Sequence, residues 1–285
     1  YKKKILPNKI LLSGIKGIGK STLAYHLINY ILSQNEQFEY NLKNFTINDK
    51  NQTYKTIQNK SNTNFFLIDI NPEKKFIDID QIRSLIINLN KTSFNKKPRF
   101  VLIDNVELLN MNSVNALLKI LEEPTHNVHF ILINSNKKIL PTLSSRCINY
   151  KISLSNKQCL EIINKLCNNK FDDLISKDLT SYYLTPGNTY RLIKFADNNN
   201  YDLSNINLKE FLRLIINENH YKKNNSMKMI FFDLTEYYFR KINQNFSSKI
   251  YDKYSYFLKR ISDTKKFNLD EESLLIEFED KLLNG

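Results

Sequence analysis

Glycine is scarce in this chain, with five in 285 residues, and cysteine is scarcer, with three. Cys147, Cys159 and Cys167 contain no C-x-x-C pair, which excludes a disulfide framework and a zinc module and fits a reducing compartment. His126 and His129 have ligand-like spacing but no third ligand, so they read as a loop residue and a strand residue. No apolar run approaches the ~18 residues of a membrane span. The opening KKKILPNKILL is broken by Pro7, Asn8 and Lys9, which excludes a signal peptide. The chain starts on Tyr1 rather than Met, and the natural N-terminus is expected upstream. No internal repeat is visible. These absences point to a cytoplasmic protein, and 41% hydrophobic with 25% charged residues describes an ordinary globular chain. The net charge is +13. That balance fits an anionic partner such as DNA, and equally a genome rich in the A/T codons of Lys, Asn, Ile, Tyr and Phe.

Against this background, three of the five glycines fall within six residues. Gly14, Gly17 and Gly19 lie in GIKGIGKS, which ends in Lys20 and Ser21 and matches G-x-x-x-x-G-K-[ST]. Backbone N–H groups can turn around a phosphate only where side chains leave room, and several such turns need positive φ. Lys20 is expected to reach the β- and γ-phosphates of ATP or ADP, and the Ser21 hydroxyl to hold Mg²⁺. Ile18 and Thr22 complete the expected nucleotide-binding set. The flanks agree: Ile10–Leu12 reads as a buried strand, and Leu23, Ala24, Leu27, Ile28 and Ile31 have helical spacing. A helix N-terminus then faces the phosphates with its dipole and free N–H groups.

Further on, residues 33–64 read as a helix end and an exposed loop. Phe65–Ile70 predicts a second strand, Ile79–Leu89 a helix, and Phe100–Ile103, ending in Asp104, a strand buried on both faces. A helix from Ser113 to Glu122 stops at Pro124. His129–Asn134 and Cys147–Ile152 predict two more strands. Alternation of strands and helices argues a parallel sheet covered on both faces. Near residue 153 the pattern changes. Ser155 and Gln158 form a capping box for a helix through Leu166. Pro186–Gly187 is a turn signal. Leu208–Ile216, Met227–Ile242, Tyr251–Ile261 and Glu271–Leu283 are helical by periodicity.

The run NSVNALLKILEEPTHNVHFILINSNKKILPTLSSRC, residues 112–147, resembles the clamp-loader family of AAA+ proteins, which includes the gamma/tau and delta-prime subunits of bacterial DNA polymerase III. The resemblance spans about residues 5–200. It implies an α/β AAA+ P-loop core (1–152), a helical lid (153–203) and a C-terminal helical collar that assembles a ring (204–285). It implies Asp104 as the Walker B carboxylate that binds Mg²⁺ with Ser21, Asn134 as the sensor-1 residue, and Arg146 as an arginine finger reaching the ATP of a neighbouring subunit. The implied partners are gamma/tau and delta subunits, the sliding clamp and primer–template DNA, in a hetero-oligomer away from membranes.

Four departures bear on the member type. Asp104 is followed by Asn105 where active subunits carry the Glu that orients the attacking water, and Asn cannot accept a proton. Glu107 is expected to point elsewhere unless a loop returns it. Pro186-Gly187-Asn188 stands where a sensor-2 arginine is expected, with Arg191 shifted by about one turn. The family's zinc-binding cysteines and the long extension of tau are absent. Together these point to a delta-prime type with weak or no hydrolysis of its own. The alternatives are a gamma-type motor ATPase, disfavoured by Asn105, and a stand-alone AAA+ DNA-repair ATPase, disfavoured by Ser145-Arg146-Cys147, because a finger needs a neighbour.

Overall fold

The computed structural model describes residues 6–71, 74, 76–91, 95–123, 127–168, 171–180, 185–223, 230–235, 237–238, 255–261, 263–264 and 269–280. The expected helix stop at Pro124, the loop residue His126, half of the Met227–Ile242 helix, the start of the Tyr251–Ile261 helix and the end of the Glu271–Leu283 helix lie outside these residues.

The chain divides into two compact units, Tyr1–Ser153 and Leu154–Gly285. In the first, β1 (Lys9–Ser13), β2 (Phe65–Ile68), β3 (Arg99–Ile103), β4 (Val128–Asn134) and β5 (Ile148–Lys151) form one parallel sheet in the order β2-β3-β4-β1-β5. Helices α1 (Lys20–Leu32), α2 (Gln52–Gln58), α3 (Ile79–Asn90) and α4 (Met111–Glu122) provide the connections, with a short α5 (Pro141–Ser144) before β5.

Alternation along the strands sorts the core into two layers, because successive side chains point to opposite faces. Phe100, Leu102, Ile131 and Ile133 pack with Ala24, Ile28 and Ile31 of α1. Val101, Ile103, Phe130 and Leu132 pack with Leu85 of α3 and Leu117 and Leu121 of α4. Every residue of β4 is buried, as a central strand covered on both faces requires. At the sheet edge, all four residues of β5 are exposed.

In residues 33–64 the sequence reading predicts loop, yet α2 forms. Its only aliphatic residue is Ile57, so helical periodicity is hard to see. Polar contacts fix it instead: the Asn51 side chain caps the helix by accepting from Tyr54 N–H and donates to the Phe38 carbonyl. Buried Asn29 donates to the same Asn51 oxygen.

The second unit is helical: α6 (Asn156–Leu166), α7 (Phe171–Leu174), α8 (Lys177–Thr180), α9 (Pro186–Asn199), α10 (Leu208–Asn217), α11 (His220–Lys223) and a helix over Glu271–Phe278. The Ser155–Gln158 capping box is present, and a second, Asn207–Glu210, opens α10. Pro186–Gly187 is a correction to the predicted turn. Pro186 occupies the first turn of α9, where its fixed φ suits the helix and its missing N–H costs no intrahelical bond. Phe171, Leu179, Leu192, Leu203, Phe211, Leu212, Phe231, Phe257 and Phe278 share one hydrophobic cluster, so residues expected in lid and collar contribute to a common core. Among the described residues no helix is long and apolar enough to cross a membrane.

Candidate functional site

The C-terminal ends of β1, β3 and β4 meet at one rim of the sheet, and the glycine loop leaves from there. Ser13 pairs with Asn134, and the Gly14 N–H donates to the Asn134 carbonyl at 3.2 Å. The loop cannot carry side chains at its key positions. A Cβ at Gly14 would collide with the Ile152 carbonyl oxygen and lie 2.7 Å from Ile18 Cδ1. Gly17 and Gly19 have φ of 86° and 91°, left-handed values that favour glycine. At Gly19 a Cβ would meet nothing within 4 Å, so the start of α1 faces open space. The first-turn N–H groups of Lys20, Ser21 and Thr22 have no intrahelical partners and, with the helix dipole, suit an anion there. Thr22 is exposed, whereas Ile18 is buried beneath the loop.

Lys20 is only 4% exposed, and its ammonium donates to the Gly14 and Ile15 carbonyls, both at 2.8 Å. Burial lowers its pKa from the ordinary lysine value, the Asp104 and Glu107 carboxylates oppose that shift, and Lys16 adds to it. The Ser21 hydroxyl donates to Asp104 Oδ2. The two groups expected to share Mg²⁺ therefore touch across α1 and β3, and a hydroxyl beside a carboxylate is the oxygen donor set that a hard cation takes.

Asn105 turns its side chain toward the end of β2. It sits at φ 55°, and its amide donates to Asp69 Oδ1 at 2.8 Å. Asp69 follows β2, and sequence reasoning missed it. The signal was present: Leu67-Ile68-Asp69 repeats Leu102-Ile103-Asp104, and the two triplets lie on paired strands in register, Leu67 with Leu102 and Ile68 with Ile103. Burial raises the pKa of the Tyr25 hydroxyl on α1, and Asp104 and Asp69 add to the rise, so both acids bear on that helix.

Glu107 does not point elsewhere. The 3₁₀ turn Val106–Leu108 brings it to the end of β4, where both carboxylate oxygens accept from the Ser135 N–H at 3.3 Å. Asn134, the expected sensor, has its backbone against the loop but its amide turned aside. Its Nδ2 donates to the Lys137 carbonyl at 2.9 Å, and its Oδ1 accepts from the Lys137 N–H at 3.2 Å.

Arg146 stands apart from this group. It lies in the turn between α5 and β5, with Nε and Nη2 donating to Glu122 Oε1 at 3.1 and 2.5 Å and Nη1 to the Thr142 carbonyl at 2.8 Å. Its side chain is 33% exposed and that of Glu122 is 52% exposed. Burial pushes the neighbouring Cys147 thiol up to about 11, so it stays protonated and unreactive near neutral pH. Arg191 is exposed on α9. The three cysteines form no disulfide, and among the described residues no cluster of three or more His, Cys, Asp or Glu side chains is arranged to hold a metal ion.

Comparison with known proteins agrees with this architecture. The sequence profile of the family described as DNA polymerase III, delta subunit, matches residues 1–156. A DNA polymerase III subunit gamma from Buchnera aphidicola subsp. Schizaphis graminum is 30% identical over 177 residues, 60% of this chain and 46% of the relative. A subunit delta' from the same organism is 34% identical over 134 residues, 47% of this chain and 40% of the relative. The chain thus spans about half the length of the relatives it matches. Among solved structures, a DNA polymerase III gamma subunit-related protein from Thermotoga maritima superposes with a TM-score of 0.51 at 18% identity, covering 96% of this chain and 93% of that one. That likeness concerns the fold.

Proposed function

The chain belongs to the DNA polymerase III delta-subunit family of AAA+ clamp-loader proteins, and from that premise we propose that it serves as a delta-prime-type clamp-loader subunit. In this reading it binds ATP or ADP with Mg²⁺, hydrolyses ATP slowly or not at all, and offers Arg146 to nucleotide held by a neighbouring gamma/tau-type subunit. Its partners are other clamp-loader subunits, the sliding clamp and primer–template DNA.

Each residue has a role in that reading. Gly17 and Gly19 leave the backbone open to phosphate oxygens. Lys20 exchanges its two carbonyl contacts for phosphate oxygens, which make stronger charge-assisted hydrogen bonds. Ser21 and Asp104 are the groups that would hold Mg²⁺, which supplies charge neutralisation to the phosphates.

The observation that carries the reading is the Asn105–Asp69 hydrogen bond. The position expected to hold a water-orienting Glu holds an amide instead, engaged on the side of β2. Losing such a group costs ~10²–10⁴ in rate. A second reading, a gamma-type motor, draws support from the gamma relative, whose match is longer than that of the delta' relative. The experiment is an ATPase assay on the purified chain, paired with co-purification from native extract. Turnover below ~1 s⁻¹, with recovery of clamp-loader subunits, is the expected result. Turnover at or above that rate favours the motor.

A further inference from the structure

Residue 105 lacks a carboxylate, but one returns to the site two positions later. Asn105 adopts a left-handed conformation at φ 55°, and the Leu108 N–H donates back to its carbonyl at 2.8 Å. The resulting single turn swings Glu107 over the end of β4. There it accepts from the Ser135 N–H, next to the Asn134 carbonyl that holds Gly14. Glu107 is therefore anchored to the strand that borders the first residue of the glycine loop. Of the carboxylates acting on the Lys20 ammonium, it is second only to Asp104. It is half-buried and makes no ion pair with another side chain among the described residues.

We propose that Glu107 is the second carboxylate of the nucleotide site and that its charge makes the site favour a nucleoside diphosphate over the corresponding triphosphate. The proposal rests on the nucleotide-binding reading given above. Lys20 is a single buried cation, held by two loop carbonyls and faced by two acids. Asp104 has a route to neutralisation, because with Ser21, which it touches, it would hold the cation of the proposed site. Glu107 lies outside that contact, on the Ser135 N–H, so a cation held by Ser21 and Asp104 would not take it as a ligand. Each phosphoryl group added to the ligand brings more negative charge into that field. A like charge at the separations typical of neighbouring groups in a half-buried site costs roughly tenfold or more in affinity. The ligand with fewer charges is penalised less, so the site discriminates by phosphate number.

Calorimetric titration of the full chain with Mg²⁺-ADP and a Mg²⁺-bound non-hydrolysable ATP analogue tests this, using the unaltered protein, Glu107→Gln and Glu107→Asp. Gln keeps an acceptor oxygen for the Ser135 N–H and nearly the same shape, so it removes the charge alone; Asp keeps the charge. The unaltered chain is expected to bind ADP at least about tenfold more tightly. Glu107→Gln is expected to tighten the analogue about tenfold while ADP changes less than about threefold. Glu107→Asp should retain the diphosphate preference, and thermal melting should be unchanged by Gln. Equal affinities in the unaltered chain, or parallel shifts for both nucleotides in Glu107→Gln, overturn the inference and leave the P-loop reading standing. If the unaltered chain binds neither nucleotide, both fall.

Discussion

Replacing Arg146 by Ala separates a residue that holds the fold from one that acts on a neighbour. In the isolated chain the guanidinium makes three hydrogen bonds, two to a single oxygen of Glu122 and one to the Thr142 carbonyl. Both partner side chains are a third or more exposed, so water replaces what is lost. An exposed ion pair contributes ~0.2–1 kcal/mol. The carbonyl contact adds ~0.5–1.5 kcal/mol at most, discounted because the Thr142 oxygen stays accessible to solvent. A total near 1 kcal/mol corresponds to about 2–4 °C in melting temperature for a chain of this size. Against that small structural effect stands the stabilisation an arginine finger gives to charge developing on phosphate, ~10³–10⁵ in rate. The whole complex should lose less, because in the proposed assembly one site among several faces this subunit. To reach that site Arg146 must release Glu122, which costs no more than the exposed pair itself. In the proposed role, the guanidinium is held loosely enough to be released. The assay is a reconstituted clamp loader carrying Arg146→Ala, with assembly confirmed by size-exclusion chromatography and DNA-stimulated ATPase measured. Arg146→Lys should recover little, since an ammonium lacks the planar fork. Glu122→Gln should leave the rate intact. An unchanged rate in the assembled Arg146→Ala complex, or a melting temperature lowered by more than about 8 °C, would show that Arg146 serves only its own turn.

Three other outcomes follow from particular contacts. Lys20→Ala should weaken ADP and ATP binding about 10- to 100-fold, the loss of a charge-assisted contact of ~1.5–3 kcal/mol, read by calorimetry. His129 is buried against Phe100, and burial lowers its pKa from 6.5, outweighing its hydrogen bond to the Pro7 carbonyl. The unfolded chain therefore takes up the proton first: stability is fully present above pH 6.5 and declines as pH falls below it, and urea midpoints from pH 8 to 5 should show a slope that His129→Phe reduces. Ending the chain at residue 203 should leave Leu179, Leu192 and Phe195 without Phe211, Leu212 and Ile215, so a 1–203 fragment should bind more of a hydrophobic dye and melt earlier than the full chain.

What could be read from the sequence depended on whether the stabilising contacts were local. β3 and β4 were legible because strands buried on both faces are continuously apolar, and α6 because Ser155 and Gln158 form a capping box three residues apart. Helix α2 was hidden because its anchor is Asn51, whose partners Asn29 and Phe38 lie 22 and 13 residues away. Pro186–Gly187 misled because the same dipeptide that opens a turn also fits the first turn of a helix, and only the buried Leu192, Ile193 and Phe195 that follow decide between them.

The proposed nucleotide site divides along the same line. Glycine positions, Lys20 and Ser21 follow from fixed spacing, since a loop and a helix start must surround a phosphate in one way, and Asp104 is implied by the family resemblance of the residues that follow it. The acids around them do not. One conformational choice at Asn105, a left-handed φ that asparagine tolerates better than most residues, turns its amide to Asp69 and lets the next turn carry Glu107 inward. Had residue 105 been a β-branched side chain, that kink would have been strained and Glu107 would have lost its route back to β4. Asn105 is therefore more than a missing carboxylate: the same residue that removes one acid from the rim of the sheet provides the backbone geometry that brings another to it. A loop-level rearrangement of this kind changes which charges face Lys20 while leaving the sheet, the glycine loop and the Ser21–Asp104 contact in place.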